Sequence, residues 1–276
     1  MSSAADLDRD LPWSEHPDPW AVLVSEVMLQ QTPVSRVRAK WTQFLLEFPT
    51  PRALAEAPLA RALAVWSGLG YPRRLKNLRD ASRAMLERHD GKVPDTLGEL
   101  LALPGVGPYT ARAVLAFAFG ESVGVVDTNV GRVLARAVAN RRLRASEAQS
   151  VVDRLVTGTD PRAFNQAMLD VGAAHCRATP ICGACPLVRV CRWHIEGGED
   201  PSTASAGVSR PQGAFAGSDR AARGRLMRRL LDGEIPRSEA VATLDANDPA
   251  RADRLLCALE GDGLISLTHA TVVLAS

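Results

Sequence analysis

Residues Leu103 to Ala111 read LPGVGPYTA and lie between two apolar helical stretches, Leu97 to Leu101 and Thr110 to Phe119. Gly105 and Gly107 permit backbone angles and close approaches denied to other residues, and Pro108 suits the first turn of a helix. The pattern predicts two helices joined by a tight hairpin. The exposed N–H groups of such a turn, at the positive end of the following helix, form a phosphate seat that reads no sequence. A plain interhelical turn has the same pattern, so at this point both readings stand.

Outward from the hairpin, the chain from Trp20 to about Gly172 reads as a series of short helices. Trp20, Leu23, Val24, Val27 and Met28 repeat at helical spacing, as do Phe44, Leu45 and Phe48. Pro49, Pro51, Pro58, Gly68, Gly70, Pro72, Gly91 and Pro94 punctuate the series. The short apolar run Val123 to Val126 is the one strand-like exception, and the fold class is mostly α. Residues 196 to 218, rich in Gly, Ser, Ala and Pro, read as a linker. Beyond it, Asp219 to Leu231, Arg237 to Leu244 and Pro249 to Glu260 predict three helices. Leu264 to Leu267 and Val272 to Leu274 predict a hairpin, the outline of a small winged-helix-like C-terminal domain. A packing domain with no ligand has the same outline.

With 276 residues, 46% apolar and 23% charged, this is the composition of an ordinary folded protein. No apolar run approaches the ~20 residues of a membrane span, so no membrane association and a reducing cytoplasmic setting are expected, which argues against structural disulfides. The net charge is only +2, yet lysine occurs at Lys40, Lys76 and Lys92 alone, and six arginines against the single acid Asp219 fall between Arg210 and Arg229. Such local basic patches suit a phosphate backbone; a GC-rich coding bias accounts for the arginines equally well.

Cys176, Cys182, Cys185 and Cys191 have the spacing C-x5-C-x2-C-x5-C. Four thiolates suit tetrahedral zinc and a [4Fe–4S] cubane alike. With only one close pair, Cys182 and Cys185, the wider gaps favour the bulkier cluster. Cys257, beside Leu255, Leu256 and Leu259, is expected to be a buried small hydrophobe.

Among acidic residues, Glu26 interrupts the apolar run Val22 to Leu29. If its face is buried, desolvation should raise its pKa and keep a proton available for general acid work; a solvated helical glutamate is the plainer reading. Asp127 precedes a predicted helix from Val130 to Ala137 and is a candidate N-cap, and Asn129 is divided between capping and positioning. Gln30, Gln31, Thr32, Tyr71, Tyr109 and Thr110 are candidate contacts to bases or backbone, each with packing as its alternative. The chain's two tyrosines both lie beside Gly-containing turns, which suits stacking in an opened duplex.

Taken together, LPW at Leu11 to Trp13, SEVMLQQT at Ser25 to Thr32, WSGLGY at Trp66 to Tyr71, LPGVGPYTA, VDTNVGRVLAR at Val126 to Arg136, FNQAMLDVGA at Phe164 to Ala173 and the cysteines resemble the MutY-type adenine DNA glycosylases. These belong to the endonuclease III-like helix-hairpin-helix superfamily. SEVMLQQT is specific to that branch; the hairpin and cysteines are shared across the superfamily. The resemblance implies duplex DNA with an adenine mispaired with 8-oxoguanine or guanine as the partner, and a [4Fe–4S] cluster on Cys176, Cys182, Cys185 and Cys191. It implies that the adenine is flipped into a pocket between a six-helix domain and a cluster domain. Glu26 would protonate the adenine, Asp127 would stabilise the sugar cation, Asn129 would orient the pair, and Gln30 would enter the base stack. Residues 1–24 and 125–195 would form the cluster-bearing domain, 25–124 the six-helix domain, 196–218 the linker and 219–276 the winged-helix-like domain. A monomer acting on the bacterial nucleoid is the expected form.

Four departures from the pattern stand out. Tyr109 stands where strand-cleaving members of the superfamily place a lysine, so no Schiff base forms there. Pro72 stands where relatives often have an intercalating tyrosine. Cys176 and Cys182 enclose five residues, not the usual six, and residues 219–276 are too short for the Nudix-like domain of many relatives. A thymine or uracil mismatch glycosylase and a non-catalytic DNA-binding iron–sulfur protein are the alternatives. Glu26 argues against the first, and Glu26 with Asp127 against the second.

Overall fold

The computed structural model describes residues 18–205 and 214–275. The LPW motif, Arg210 and part of the expected linker lie outside the described residues. The described residues are mostly helical and group into two compact units, one of residues 18–22, 95–98 and 107–205, the other of residues 23–94, 99–106 and 214–275.

Helix α1 (Pro19–Leu29) is buried from Trp20 to Met28, with Ser25 and Glu26 included. A helix apolar on all sides is a core helix. It is followed by α2 (Val34–Glu47), α3 (Pro51–Glu56), α4 (Leu59–Trp66) and α5 (Pro72–Arg88). Prolines at or just before their first turns set these starts, and at α3 the Thr50 hydroxyl also accepts from the Ala53 N–H. Each helix buries one stripe: Val37, Trp41 and Phe44 from α2; Leu59, Leu63 and Trp66 from α4; Leu75, Leu78 and Met85 from α5. Phe44 meets Trp66 edge to face, centroids 5.8 Å apart.

The hairpin joins α6 (Leu97–Leu101) to α7 (Pro108–Val114), which continues through a π-helical turn, Leu115–Phe119. Gly105 has φ +75°, and a Cβ there would lie 2.6 Å from Cβ of Asn77 on α5, so glycine is required twice over. Gly107 is different. Its φ of −93° and ψ of 175° are ordinary extended backbone, and no atom lies within 4 Å of where a Cβ would be.

The chain then forms α8 (Thr128–Val133), prolonged by a π-helical turn Leu134–Ala139, α9 (Ala145–Val156), α10 (Pro161–Ala174) and α11 (Arg192–Glu196). Val130, Leu134, Leu143, Ala148 and Val152 form a core cluster of this unit. Val123 to Val126, strand-like in sequence, has no strand partner among the described residues. Side chains answer its backbone instead: Asn165 Oδ1 accepts from the Val125 N–H at 2.9 Å, Asn165 Nδ2 donates to the Val123 carbonyl, and Asp153 accepts from the Gly124 N–H.

After Phe215 come α12 (Asp219–Arg229), α13 (Arg237–Asp245) and α14 (Pro249–Gly261), with strands β1 (Ile235–Pro236), β2 (Ile265–Leu267) and β3 (Thr271–Leu274) in one antiparallel sheet of order β1-β3-β2. The helices and the β2–β3 hairpin lie where hydrophobic periodicity predicts them; the two-residue β1 is too short to leave a pattern. Cys257 corrects the sequence reading, because it is exposed. The buried stripe of α14 is Ala252, Leu255, Leu256 and Leu259, and position 257 turns ~100° away from Leu256.

Gly105→Ala should destabilise the protein by at least ~1–2 kcal/mol, the left-handed penalty alone, with the Asn77 clash adding to it. Chemical denaturation at constant m-value measures the loss.

Candidate active site and cysteine cavity

In the unit of residues 23–94, 99–106 and 214–275, one guanidinium links several of the candidate positions. Glu26 is 6% exposed on α1. Past the end of α1, Gln30 is half-buried, Gln31 is exposed at φ +58°, and Thr32 is buried. Arg74 of α5 donates through Nη1 to the Val27 and Met28 carbonyls, both at 2.9 Å, and to that of Gln30. Its Nη2 donates to Thr32 Oγ1 at 2.9 Å and to the carbonyls of Leu69 and Gly70. One side chain thus closes the carboxyl end of α1, which carries Glu26, and ties it to the GLGY turn. Burial pulls the Arg74 pKa down to about 10, against the pull of Tyr71. Tyr71 precedes α5 in the left-handed region, φ +49°, a conformation uncommon outside glycine.

In the unit of residues 18–22, 95–98 and 107–205, Asp127 is the N-cap of α8. Its Oδ1 accepts from the Val130 N–H at 2.7 Å and its Oδ2 from Asn129 Nδ2 at 2.8 Å. The capping and positioning readings of Asp127 and Asn129 are therefore joined in one geometry. Burial raises the Asp127 pKa, opposed by the Val130 and Asn129 hydrogen bonds and the Arg132 charge. Arg132 in turn donates to Asn129 Oδ1 and to the Cys176 carbonyl, both at 2.6 Å, and to the Gly172 carbonyl at 3.1 Å. Gly172 allows this approach of α10 to α8, since a Cβ there would sit 2.7 Å from Asn129 Cβ. In the same unit Tyr109 packs against the cluster of Ala113, Ala116 and Val125, and Thr110 is buried.

The four cysteines line one open cavity of about 380 Å³ empty volume, together with Arg136 and Trp193 among others. Among the described residues, no three His, Cys, Asp or Glu side chains are disposed to hold a single metal ion. Arg136 is 1% exposed. It donates to Cys176 Sγ at 3.4 Å, to the Arg177 and Ala178 carbonyls and to both oxygens of Asp200, and its Cζ lies 5.3 Å from the Trp193 ring centroid. Burial works against the Arg136 charge, but Asp200 and Cys176 outweigh it, and its pKa is raised. Although its own burial opposes it, Asp200 is held down at about 2 by Arg136 and Ser202. Burial pushes the Cys176 and Cys185 thiols up.

Sequence reasoning singled out neither Arg74, Arg132 nor Arg136. A signal existed for two of them: Arg132 and Arg136 stand four apart in an otherwise apolar helical segment, where a charge is held only by a partner.

Over residues 24–156 the chain matches the family described as HhH-GPD superfamily base excision DNA repair protein. It is 42% identical over 266 residues to the adenine DNA glycosylase of Mycolicibacterium smegmatis, covering 94% of this chain and 89% of that protein. To the adenine DNA glycosylase of Mycobacterium tuberculosis it is 43% identical over 270 residues, covering 94% and 86%. Among solved structures, it is similar to a thermostable thymine-DNA glycosylase (TM-score 0.63, 27% identity, 68% of this chain and 89% of that one). It is also similar to an endonuclease III trapped as a covalent intermediate on DNA (TM-score 0.58, 26% identity, 65% and 85%).

A carboxyl titration of Asp127 by NMR should give a pKa above the ordinary carboxylate range. Asn129→Ala, which deletes a hydrogen bond to the ionised form, should raise it further. Because the folded value is the raised one, stability should fall as pH rises from the ordinary value to the folded one, and Asp127→Asn should abolish that slope.

Proposed function

We propose an activity for this chain from one premise: it belongs to the HhH-GPD superfamily of base excision DNA repair proteins. On this reading it is an adenine DNA glycosylase that hydrolyses the N-glycosidic bond of adenine mispaired with 8-oxoguanine or guanine in duplex DNA. The observation that carries it is the 42–43% identity to adenine DNA glycosylases over nearly the full length of both chains. SEVMLQQT, with Glu26 buried inside α1, supports it.

Chemically, the Glu26 carboxyl donates its proton to N7 of the flipped adenine. The C1′–N9 bond then breaks, its electron pair leaving with the base. Asp127, held as a carboxylate acceptor by Val130 and Asn129, stabilises the oxocarbenium-like sugar. Water adds at C1′ and gives its proton to the Glu26 carboxylate, which restores the acid. Tyr109 supplies no amine, so the enzyme is monofunctional and leaves an abasic site. Gln30, Gln31, Thr32 and Tyr71 contact bases or backbone, and the hairpin of Gly105, Gly107 and Thr110 seats a phosphate.

The four cysteines hold a [4Fe–4S] cluster. The single close pair, Cys182 and Cys185, flanked by two five-residue gaps, suits the bulkier cluster better than one zinc ion, and the four side chains line one cavity. Cys176, Cys182, Cys185 and Cys191 would hold the cluster, and when bound it would serve as a structural and DNA-binding element bracing the segment that carries Arg177, Arg189 and Arg192. On this reading residues 1–24 and 125–195 belong to a cluster-bearing domain, 25–124 to a six-helix domain, 196–218 to a linker and 219–276 to a winged-helix-like module, and the protein acts as a monomer on nucleoid DNA. The likeness to a thymine-DNA glycosylase favours one second reading, removal of thymine or uracil opposite guanine.

In single-turnover assays on duplexes pairing A, T or U with 8-oxoguanine or G, adenine should be released. Glu26→Gln should slow release at least ~100-fold, and Asp127→Asn by a similar factor. Full activity of the first variant removes the acid role, and release of T but not A selects the second reading. Borohydride should trap no robust adduct. Purified protein should carry about four irons and four sulfides per chain and absorb visible light; stoichiometric zinc in their place defeats the cluster assignment.

A further inference from the structure

Within the unit of residues 23–94, 99–106 and 214–275, aromatic rings and guanidinium groups alternate in the order Trp66, Arg74, Tyr71, Arg220, Phe215. Arg74 Cζ lies 5.5 Å from the Trp66 ring centroid and 5.2 Å from that of Tyr71; Arg220 Cζ lies 5.7 Å from Tyr71 and 5.2 Å from Phe215. All four spacings are within the ~6 Å range of cation–π attraction. The ladder starts in the core, with Trp66 2% exposed, and ends in solvent, with Phe215 61% exposed.

The outer end is built firmly. Arg220 Nη1 donates to Tyr71 Oη at 2.7 Å. The Phe215 carbonyl accepts from Ser218 Oγ at 2.7 Å, and Ser218 caps α12 through the Ala221 N–H. Arg251 Nη2 donates to the Gly217 carbonyl at 2.9 Å. Asp262 is shared by Arg73 of α5, at 3.3 Å, and Arg223 of α12, which fastens α12 beside the GLGY turn. Phe215 is thus a ring presented by a tied turn.

The occupant follows from the chemistry around the ring. Among the described residues, the small neighbours Ala214, Ala216 and Gly217 leave Phe215 as one exposed ring with the Arg220 charge at its base, whereas a protein-docking patch needs contiguous apolar area. One aromatic face beside a guanidinium, in a segment with six arginines from Arg210 to Arg229, suits an unstacked nucleobase on an anionic backbone. We infer that Phe215, braced by Arg220 on Tyr71, is a base-stacking platform for opened duplex DNA. The segment leading into α12 thereby adds its own recognition element to the GLGY turn. The inference rests on the glycosylase reading for the identity of the DNA, an opened mispair.

The test is fluorescence anisotropy with full-length protein in a Glu26→Gln background, on A:8-oxoguanine and A:G duplexes, with 2-aminopurine beside the mispair to report unstacking. Phe215→Ala and Phe215→Leu should each weaken binding by about fivefold or more, as expected for a lost base–aromatic stack of ~1–3 kcal/mol. Phe215→Trp should retain affinity, and the salt dependence of Phe215→Ala should match that of the parent, since stacking releases no counterions. Affinity within twofold for both Ala and Leu variants, or full affinity for Leu alone, overturns the platform. Adenine release by the unmodified protein is scored separately. Release with indifferent Phe215 variants overturns only the platform; no release with Phe215-dependent binding overturns only the assigned activity.

Discussion

A buried carbonyl oxygen must find a donor, and at the critical joints of this protein arginine provides it. Arg74 answers the carbonyls where α1 ends and those of the GLGY turn. Arg132 answers Gly172 and Cys176, and Arg136 answers Arg177 and Ala178. Each guanidinium offers five donors in a rigid fork. A lysine, with one compact ammonium, would leave several of these oxygens unmet at ~1–3 kcal/mol each. The arginine-rich composition, ambiguous as a bulk statistic, has a definite physical use at these three positions.

The same bonds connect the candidate chemistry to the architecture. In one unit, Asp127, Asn129, Arg132 and the Cys176 carbonyl form an unbroken chain of hydrogen bonds. The orientation of the carboxylate therefore depends on the conformation of the cysteine segment, a positional dependence that requires no electron transfer. In the other unit, Arg74 fixes the end of the helix that carries Glu26 and the Gln30–Thr32 turn together, so the two segments share one support.

Much of this was legible in the chain. Hydrophobic periodicity located the helices, Pro and Gly marked their ends, and the four cysteines picked out as a group by their spacing do line one cavity. The C-terminal elements lie within a residue or two of their expected bounds, and the structure shows Ser218 and Asp248 capping two of the helices there. What escaped was decided by tertiary partners. Val123 to Val126 has strand composition, yet Asn165 and Asp153 take up its backbone bonds. Cys257 sits among leucines in sequence and on the outer face in space. Gly107 matches the hairpin pattern but adopts a backbone open to any residue. The Arg220–Tyr71 contact joins positions 149 apart, a separation that local pattern cannot reveal.

Gln31 and Tyr71 both hold left-handed backbone, at φ +58° and +49°, on the two turns that Arg74 clamps. Each pays roughly 1–2 kcal/mol relative to a glycine. At the exposed Gln31 a glycine would simply relieve that strain; at Tyr71 it would also remove the ring flanked by Arg74 and Arg220 and the hydroxyl that accepts from Arg220. Selection for heat resistance would therefore act differently on the two turns, relaxing the first and holding the second in its strained form.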